Sequence, residues 1–223
     1  MALDRKNVVI TGATRGLGLA LVREFVCAGW QTTGVGRSAR PEEYPEGADF
    51  ERFDASDIHA CRHFWEKHVK RSEEGADGLA LINNAGVYVP GGFLDPPAAL
   101  FEESIRCNYL SAVNMTRTLF DIVTSARLVN IVSTSALQAK STNSAYGSAK
   151  AGMAQFFRSL QQEFSPEQYR IINVYPGTIR THGEGPDVDA IEPEDLSMFV
   201  RELLAAGPSF YVAEATLMPK TGS

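Results

Sequence analysis

Cysteine is scarce: the 223 residues hold three, Cys27, Cys61 and Cys107, with no C-x-x-C pair and no histidine at ligand spacing. That excludes a disulfide framework and a cysteine-held metal, and the thiols read as reduced, as in a cytosolic protein. Long apolar runs are missing too, since none approaches the roughly eighteen residues that a membrane helix needs. The start, Met1 to Asn7, has no charged segment followed by an apolar one, so no signal peptide is expected and the protein is read as cytoplasmic, off the membrane. Positive charge is in deficit: 21 basic against 27 acidic residues give a net charge of -6. A general binder of nucleic acid, polyphosphate or membrane surface is thereby disfavoured, and any phosphate site must be local. Repeats and low-complexity segments are absent. Histidine amounts to four, and His59, His63 and His68 fall on one charged helical segment where no acid or cysteine completes a ligand set; they read as solvent-exposed.

What is present is a 44% hydrophobic chain long enough to bury a full core as one α/β domain, residues 1–223. Short apolar runs predict strands at Asn7 to Thr11, Thr32 to Gly36, Asp49 to Phe53, Gly78 to Ile82, Arg127 to Val132, Tyr169 to Tyr175 and Phe210 to Pro219. Between them, helical spacing predicts helices from Leu17 to Ala28, Asp57 to Glu74, Ala98 through Asn108 to Phe120 (with room for a break), Ala145 to Phe164, and Pro193 to about Ala206. Alternating strands and helices imply a parallel sheet covered on both faces, a doubly wound Rossmann-like architecture.

The first strand-helix turn reads Thr11-Gly12-Ala13-Thr14-Arg15-Gly16-Leu17-Gly18. A helix opening after glycines offers unpaired N–H groups and a positive dipole end to an anion. The spacing G-x-x-x-G-x-G departs from the commoner dinucleotide fingerprint, and glycine-rich turns also occur without a ligand. After the second strand comes Gly36-Arg37, where a binder of NAD would carry an acid for the ribose 2′-hydroxyl; an arginine there suits a 2′-phosphate, and Arg15 is a second cation within reach. The pair points to NADP, unless both are solvated surface arginines. Asp54, at the end of the third strand, either bonds an adenine amine or helps Ser56 or Asp57 cap the next helix. Asn83-Asn84-Ala85-Gly86 closes the fourth strand; such asparagines bond neighbouring backbone and leave room for a flat ring. Tyr88 and Phe93 follow in a loop suited to line a pocket.

Tyr146 and Lys150 stand four apart at the start of a helix and so share a face, with Ser133 at the carboxyl end of the fifth strand. An ordinary phenol titrates near pH ~10; a cation held close favours the phenolate and should bring that value toward the working range. Alone, the tyrosine and lysine would pass for an exposed helix pair. Asn108, in apolar surroundings beside Cys107 and Tyr109, needs a partner.

Taken together, Gly12-x-x-x-Gly16-x-Gly18, Asn83-Asn84-Ala85-Gly86, Asn108, Ser133, Tyr146-x-x-x-Lys150 and Pro176-Gly177 resemble the short-chain dehydrogenase/reductase family, from about residue 6 to 219. The resemblance implies an about seven-stranded parallel sheet and a nicotinamide dinucleotide, here NADP(H). It assigns Tyr146 as proton donor, Ser133 as hydrogen-bond donor to a carbonyl, Lys150 to the nicotinamide ribose and the tyrosine, and Asn108 to a relay water. Dinucleotide contacts are implied for Gly12, Thr14, Arg15, Gly16, Leu17 and Gly18; for Arg37, Asp54 and Ala55; for Asn84, Ala85 and Gly86; and for Tyr146, Lys150, Pro176, Gly177, Thr178, Ile179 and Thr181. The activity implied is interconversion of a carbonyl and a secondary alcohol on a small substrate. A dinucleotide-binding sensor or scaffold without turnover, and a lyase or epimerase on the same fold, are the alternatives. The family's substrate lid is short here, residues 182–192, and acidic through Glu184, Asp187, Asp189 and Glu192, which either fold over the pocket or stay solvated. A homodimer or homotetramer is expected, with the two-sided apolar character of the Ala145 to Phe164 helix, Phe157 included, suiting a helix-helix interface.

Overall fold

In the computed structural model, which describes residues 6–71, 78–181, 188–205 and 209–220, seven parallel strands form one sheet with helices on both faces. The strands are β1 (Asn7–Thr11), β2 (Gln31–Gly36), β3 (Ala48–Arg52), β4 (Leu79–Asn83), β5 (Ala126–Ile131), β6 (Tyr169–Pro176) and β7 (Glu214–Leu217), in the order β3-β2-β1-β4-β5-β6-β7. The chain winds outward from β1 to β3, then crosses back to place β4 on the other side of β1. This reversal leaves a crevice at the carboxyl ends of β1 and β4, where open α/β sheets bind ligands. Strands β1 and β4 are buried at every position because helices cover them on both sides, which is why they read as continuous apolar runs.

On one face lie α1 (Gly16–Cys27) and α6 (Pro193–Ala205), whose Leu17, Leu21, Phe25, Leu196 and Val200 pack on Ile10, Ile82 and Val174. The other face carries α2 (Ile58–Arg71), α3 (Ala98–Ile105), α4 (Ser111–Phe120) and α5 (Ser144–Glu163). There Trp65, fully buried, donates its indole N–H to the Met115 carbonyl at 2.9 Å, tying α2 to α4. The long helix expected from Ala98 to Phe120 is interrupted by a π-helical turn, Arg106–Leu110, which separates α3 from α4 and carries Asn108. Such a widened turn re-aims side chains that an unbroken helix would point elsewhere.

Three expectations need correction. Phe157 is fully buried against the cluster of Trp65, Met115, Leu119, Met153 and Ile171, so it builds the monomer's core and offers nothing to a subunit interface. His68 is half-buried: it hydrogen-bonds Asn7 at 3.2 Å and stacks on Phe64, while His59 and His63 are exposed. The closing strand is only Glu214–Leu217 and pairs with β6 alone at the sheet edge. Asp57 caps α2, accepting the N–H groups of His59 and Ala60, while Asp54 accepts the Ser56 N–H and faces the crevice.

A file of buried asparagines crosses the sheet in register. Asn83 on β4 donates its amide to Asn130 on β5 at 2.9 Å, and Asn130 donates to Asn173 on β6 at 3.0 Å. Asn83 also donates to the Thr116 hydroxyl on α4 at 3.2 Å. Each is fully buried, and an unpaired amide there would be costly, so the file holds three strands in one register.

Candidate active site

A groove of about 840 Å³ runs along the carboxyl ends of the strands; each residue implied to act in catalysis or to touch the dinucleotide lines it, as does Tyr88, whereas Phe93 stays exposed outside it. One end is built by the glycine turn. Gly12 adopts a left-handed conformation, φ 68°, and a side chain there would come within 2.8 Å of the Ala85 backbone. At Gly18 an added Cβ would sit 1.9 Å from the Gly12 carbonyl oxygen, so α1 can approach the turn this closely only without one. Arg15 occupies the N-cap position and no side chain caps the helix, which leaves its first-turn N–H groups to the groove.

The turn is braced by the end of β4. The Thr11 hydroxyl accepts the N–H groups of Asn84 and Ala85, both at 3.0 Å, and the Asn84 amide donates to the Thr11 carbonyl at 2.9 Å. The two asparagines therefore divide the work expected of them jointly: Asn84 bonds backbone in the groove wall, while Asn83 points into the sheet. Farther along, Arg37, Asp54 and Ala55 form the wall at the ends of β2 and β3. Arg37 is ion-paired with Glu103 of α3, and Asp54 lies 3.8 Å from Arg106 while accepting the Ser56 N–H.

At the other end Ser133, Tyr146 and Lys150 meet. Ser133 leaves β5 in extended backbone and accepts the Ser135 N–H at 3.0 Å, which fixes its hydroxyl beside the Tyr146 phenol. Tyr146 and Lys150 project from the first turns of α5, with the Lys150 ammonium 5.9 Å from the phenol ring centroid. Lys150 is almost wholly buried and donates to the Ile131 carbonyl at 2.8 Å. Burial away from any carboxylate lowers its pKa to about 8. The Tyr146 phenol is raised above its ordinary value, chiefly by burial, with the hydrogen bond from Ser133 pulling the other way. This reverses the direction expected from the sequence: the cation is turned toward the Ile131 carbonyl and lies along the ring face, so desolvation of the phenolate wins.

Asn108 is fully buried and finds the partners its surroundings demanded. Its amide donates to the Val87 carbonyl at 2.8 Å and to Ser104 at 3.0 Å, and its oxygen accepts the Val87 N–H at 3.3 Å. Both amide hydrogens are thereby committed to holding the 86–87 segment against α3. Pro176, Gly177, Thr178, Ile179 and Thr181 close the groove after β6. Of the acidic loop, Glu184 and Asp187 lie outside the described residues; Glu192 pairs with Arg180 at 2.8 Å, and neither it nor Asp189 lines the groove.

The sequence reading passed over several groove residues: Cys107, Ser135, Lys140, Thr142 and Asn143. Asn143 was legible in one respect, since it stands just before α5, whose Gly147 N–H bonds its carbonyl at 2.8 Å. Cys107 lies on the π-helical turn and Ser135 on a short 3-10 turn after β5, while Lys140 and Thr142 belong to a loop brought in by tertiary pairing, where Gly91 bridges to Asn143. Tyr88, from the same loop as Gly91, sets its ring edge-on to Tyr146 with centroids 5.2 Å apart. Among the described residues no helix is long and apolar enough to cross a membrane, and no group of three or more metal-ligating side chains occurs.

Comparison with known proteins agrees with this construction. The chain is 29% identical over 254 residues to dehydrogenase/reductase SDR family member 7B of Xenopus tropicalis, an alignment covering 95% of this chain and 81% of that one. It is 29% identical over 185 residues to serine 3-dehydrogenase of Agrobacterium fabrum, covering 78% and 72%. An alcohol dehydrogenase from the archaeon Thermococcus sibiricus, solved in complex with 5-hydroxy-NADP, superposes with a TM-score of 0.86 over 99% of both chains at 22% identity, which speaks to the fold. Residues 6–190 match the family model described as short chain dehydrogenase, and the chain belongs to the short-chain dehydrogenase/reductase family.

Proposed function

We propose that this protein is an NADP(H)-dependent oxidoreductase that interconverts a carbonyl and a secondary alcohol on a small substrate. The observation that carries the reading is the meeting of Ser133, Tyr146 and Lys150 at one end of a groove whose other end is an uncapped glycine turn. The fit of a dinucleotide is supported by that turn, where glycine is required and first-turn N–H groups face the groove, as a pyrophosphate needs. Preference for the 2′-phosphate is supported by Arg15 and Arg37 in the groove and by Gly36 in place of a carboxylate. Thermococcus sibiricus alcohol dehydrogenase, solved with an NADP derivative, lends further support.

The reduced nicotinamide, when bound, supplies a hydride to the carbonyl carbon. The residues supply the rest. Ser133 and Tyr146 donate hydrogen bonds to the carbonyl oxygen, where negative charge develops. Tyr146, whose raised pKa keeps it protonated at neutral pH, delivers its proton to that oxygen. Lys150, with a pKa of about 8, is suited to exchange a proton near neutrality and so to restore the phenol. Because both Asn108 amide hydrogens are taken, its contribution is to anchor the Gly86-Val87 segment, with one lone pair of its oxygen left for a relay water.

The test follows nicotinamide absorbance with a panel of ketones, aldehydes and 3-oxo acids, with NADPH and NADH in parallel. Turnover with at least one carbonyl, abolished in Tyr146→Phe with NADPH binding nearly intact, is the expected outcome. Undiminished turnover in that variant would overturn the assignment.

A further inference from the structure

We infer that Glu103 sets how strongly the groove prefers a dinucleotide carrying a 2′-phosphate, because it holds the Arg37 guanidinium in an ion pair that the phosphate must displace. The inference rests on the reading of the groove as a dinucleotide site and of Arg37 as the phosphate's partner. Arg37 follows β2 and lines the groove, whereas Glu103 belongs to α3, so their ion pair, 2.5 Å between Nη1 and Oε1, ties α3 to the Arg37 end of the groove. The carboxylate is steadied from behind: the Cys107 thiol, one turn along and itself lining the groove, donates to the same Oε1 at 3.1 Å. The base of Arg37 is steadied as well, since its carbonyl accepts from Arg52 Nε at 3.0 Å while the side chain reaches Glu103. Hydrogen bonds from Arg37 and Cys107 hold the Glu103 carboxyl below its ordinary pKa, so it is an anion at neutral pH. Arg15, the other groove arginine, has no carboxylate partner among the described residues.

A 2′-phosphate would meet a guanidinium already occupied and a fixed negative charge beside it. A ribose 2′-hydroxyl would leave the pair in place. Discrimination is a difference of affinities, and here Glu103 subtracts from one side only. With side chains 50% and 32% exposed, the pair is partly screened, so its effect is modest and salt-dependent.

The experiment measures dissociation constants for NADPH and NADH by calorimetry on the full chain at low and raised salt. Glu103→Gln keeps the shape and removes the charge: NADPH should bind about two- to fivefold tighter, the size expected of one partly exposed pair, with NADH unchanged and the gain shrinking with salt. Glu103→Ala, which also drops the Cys107 contact, should move the same way, so the result does not hang on one variant. Arg37→Ala should weaken NADPH selectively, and in that background the gain from Glu103→Gln should shrink, since only direct repulsion of the phosphate remains to be relieved. If Arg37→Ala is selective while both Glu103 variants leave NADPH binding unchanged, weaken it, or shift NADPH and NADH alike, the role of Glu103 is refuted. If Arg37→Ala shifts both dinucleotides equally, the 2′-phosphate reading fails, and the inference fails with it.

Discussion

Replacing Lys150 by methionine isolates the cost of burying an ammonium beside the tyrosine. An ordinary lysine titrates near 10.5 and this one at about 8, so wherever both folded and unfolded chains are protonated the buried charge costs about 3 kcal/mol. The folded-state value lies below the unfolded one; between pH 8 and 10.5 the unfolded chain holds the extra proton, and stability rises with pH across that window. Between pH 7 and pH 9 the recovery amounts to about 1 kcal/mol. Cys61 and Cys107, whose thiols are pushed up to about 12 by burial, act in the opposite sense above their unfolded value. Their contribution is common to both proteins and cancels in the difference. Urea unfolding of the wild type and Lys150→Met at pH 7 and pH 9 therefore reads the term directly: the wild type should gain about 1 kcal/mol on the variant at the higher pH. A difference that stays constant, or shrinks as pH rises, would mean that the ammonium is not penalised in the fold and that its proton is not near exchange at neutrality.

Other outcomes follow from the same geometry. Gly18→Ala puts a methyl 1.9 Å from the Gly12 carbonyl, so the turn must open; dinucleotide affinity should fall at least about tenfold and the thermal midpoint should drop, measured by calorimetry. Asn130→Leu removes the middle of the asparagine file and leaves groups on Asn83 and Asn173 without a partner, which should destabilise by about 2–3 kcal/mol in denaturant unfolding; an effect under about 0.5 kcal/mol would show that the file is not needed.

Much of this molecule was legible because periodicity and glycine placement are local. The continuous apolar runs of β1 and β4 announce strands covered on both faces, and six of the seven strands fall close to where they were expected. Only the closing one, β7, is markedly shorter. Phe157 was misread because helical spacing says which residues share a face but not how many faces are covered, and α5 is buried against the sheet, α3 and the π-helical turn. Asn130 and Asn173 drew no attention, for a lone polar residue in a strand acquires meaning only when its neighbour across the sheet is known.

By itself the sequence determined the alternation of strands and helices and the glycine turn, which follow from short-range pattern, while the family resemblance pointed to most, though not all, of the side chains that line the groove. Tertiary structure alone decided three matters: the direction of the Tyr146 and Lys150 shifts, the pairing of Arg37 with Glu103, and the strand register held by Asn83, Asn130 and Asn173. The physical reason is common to them. Desolvation and charge pairing depend on which distant segments close over a group, and a segment's own residues do not specify that.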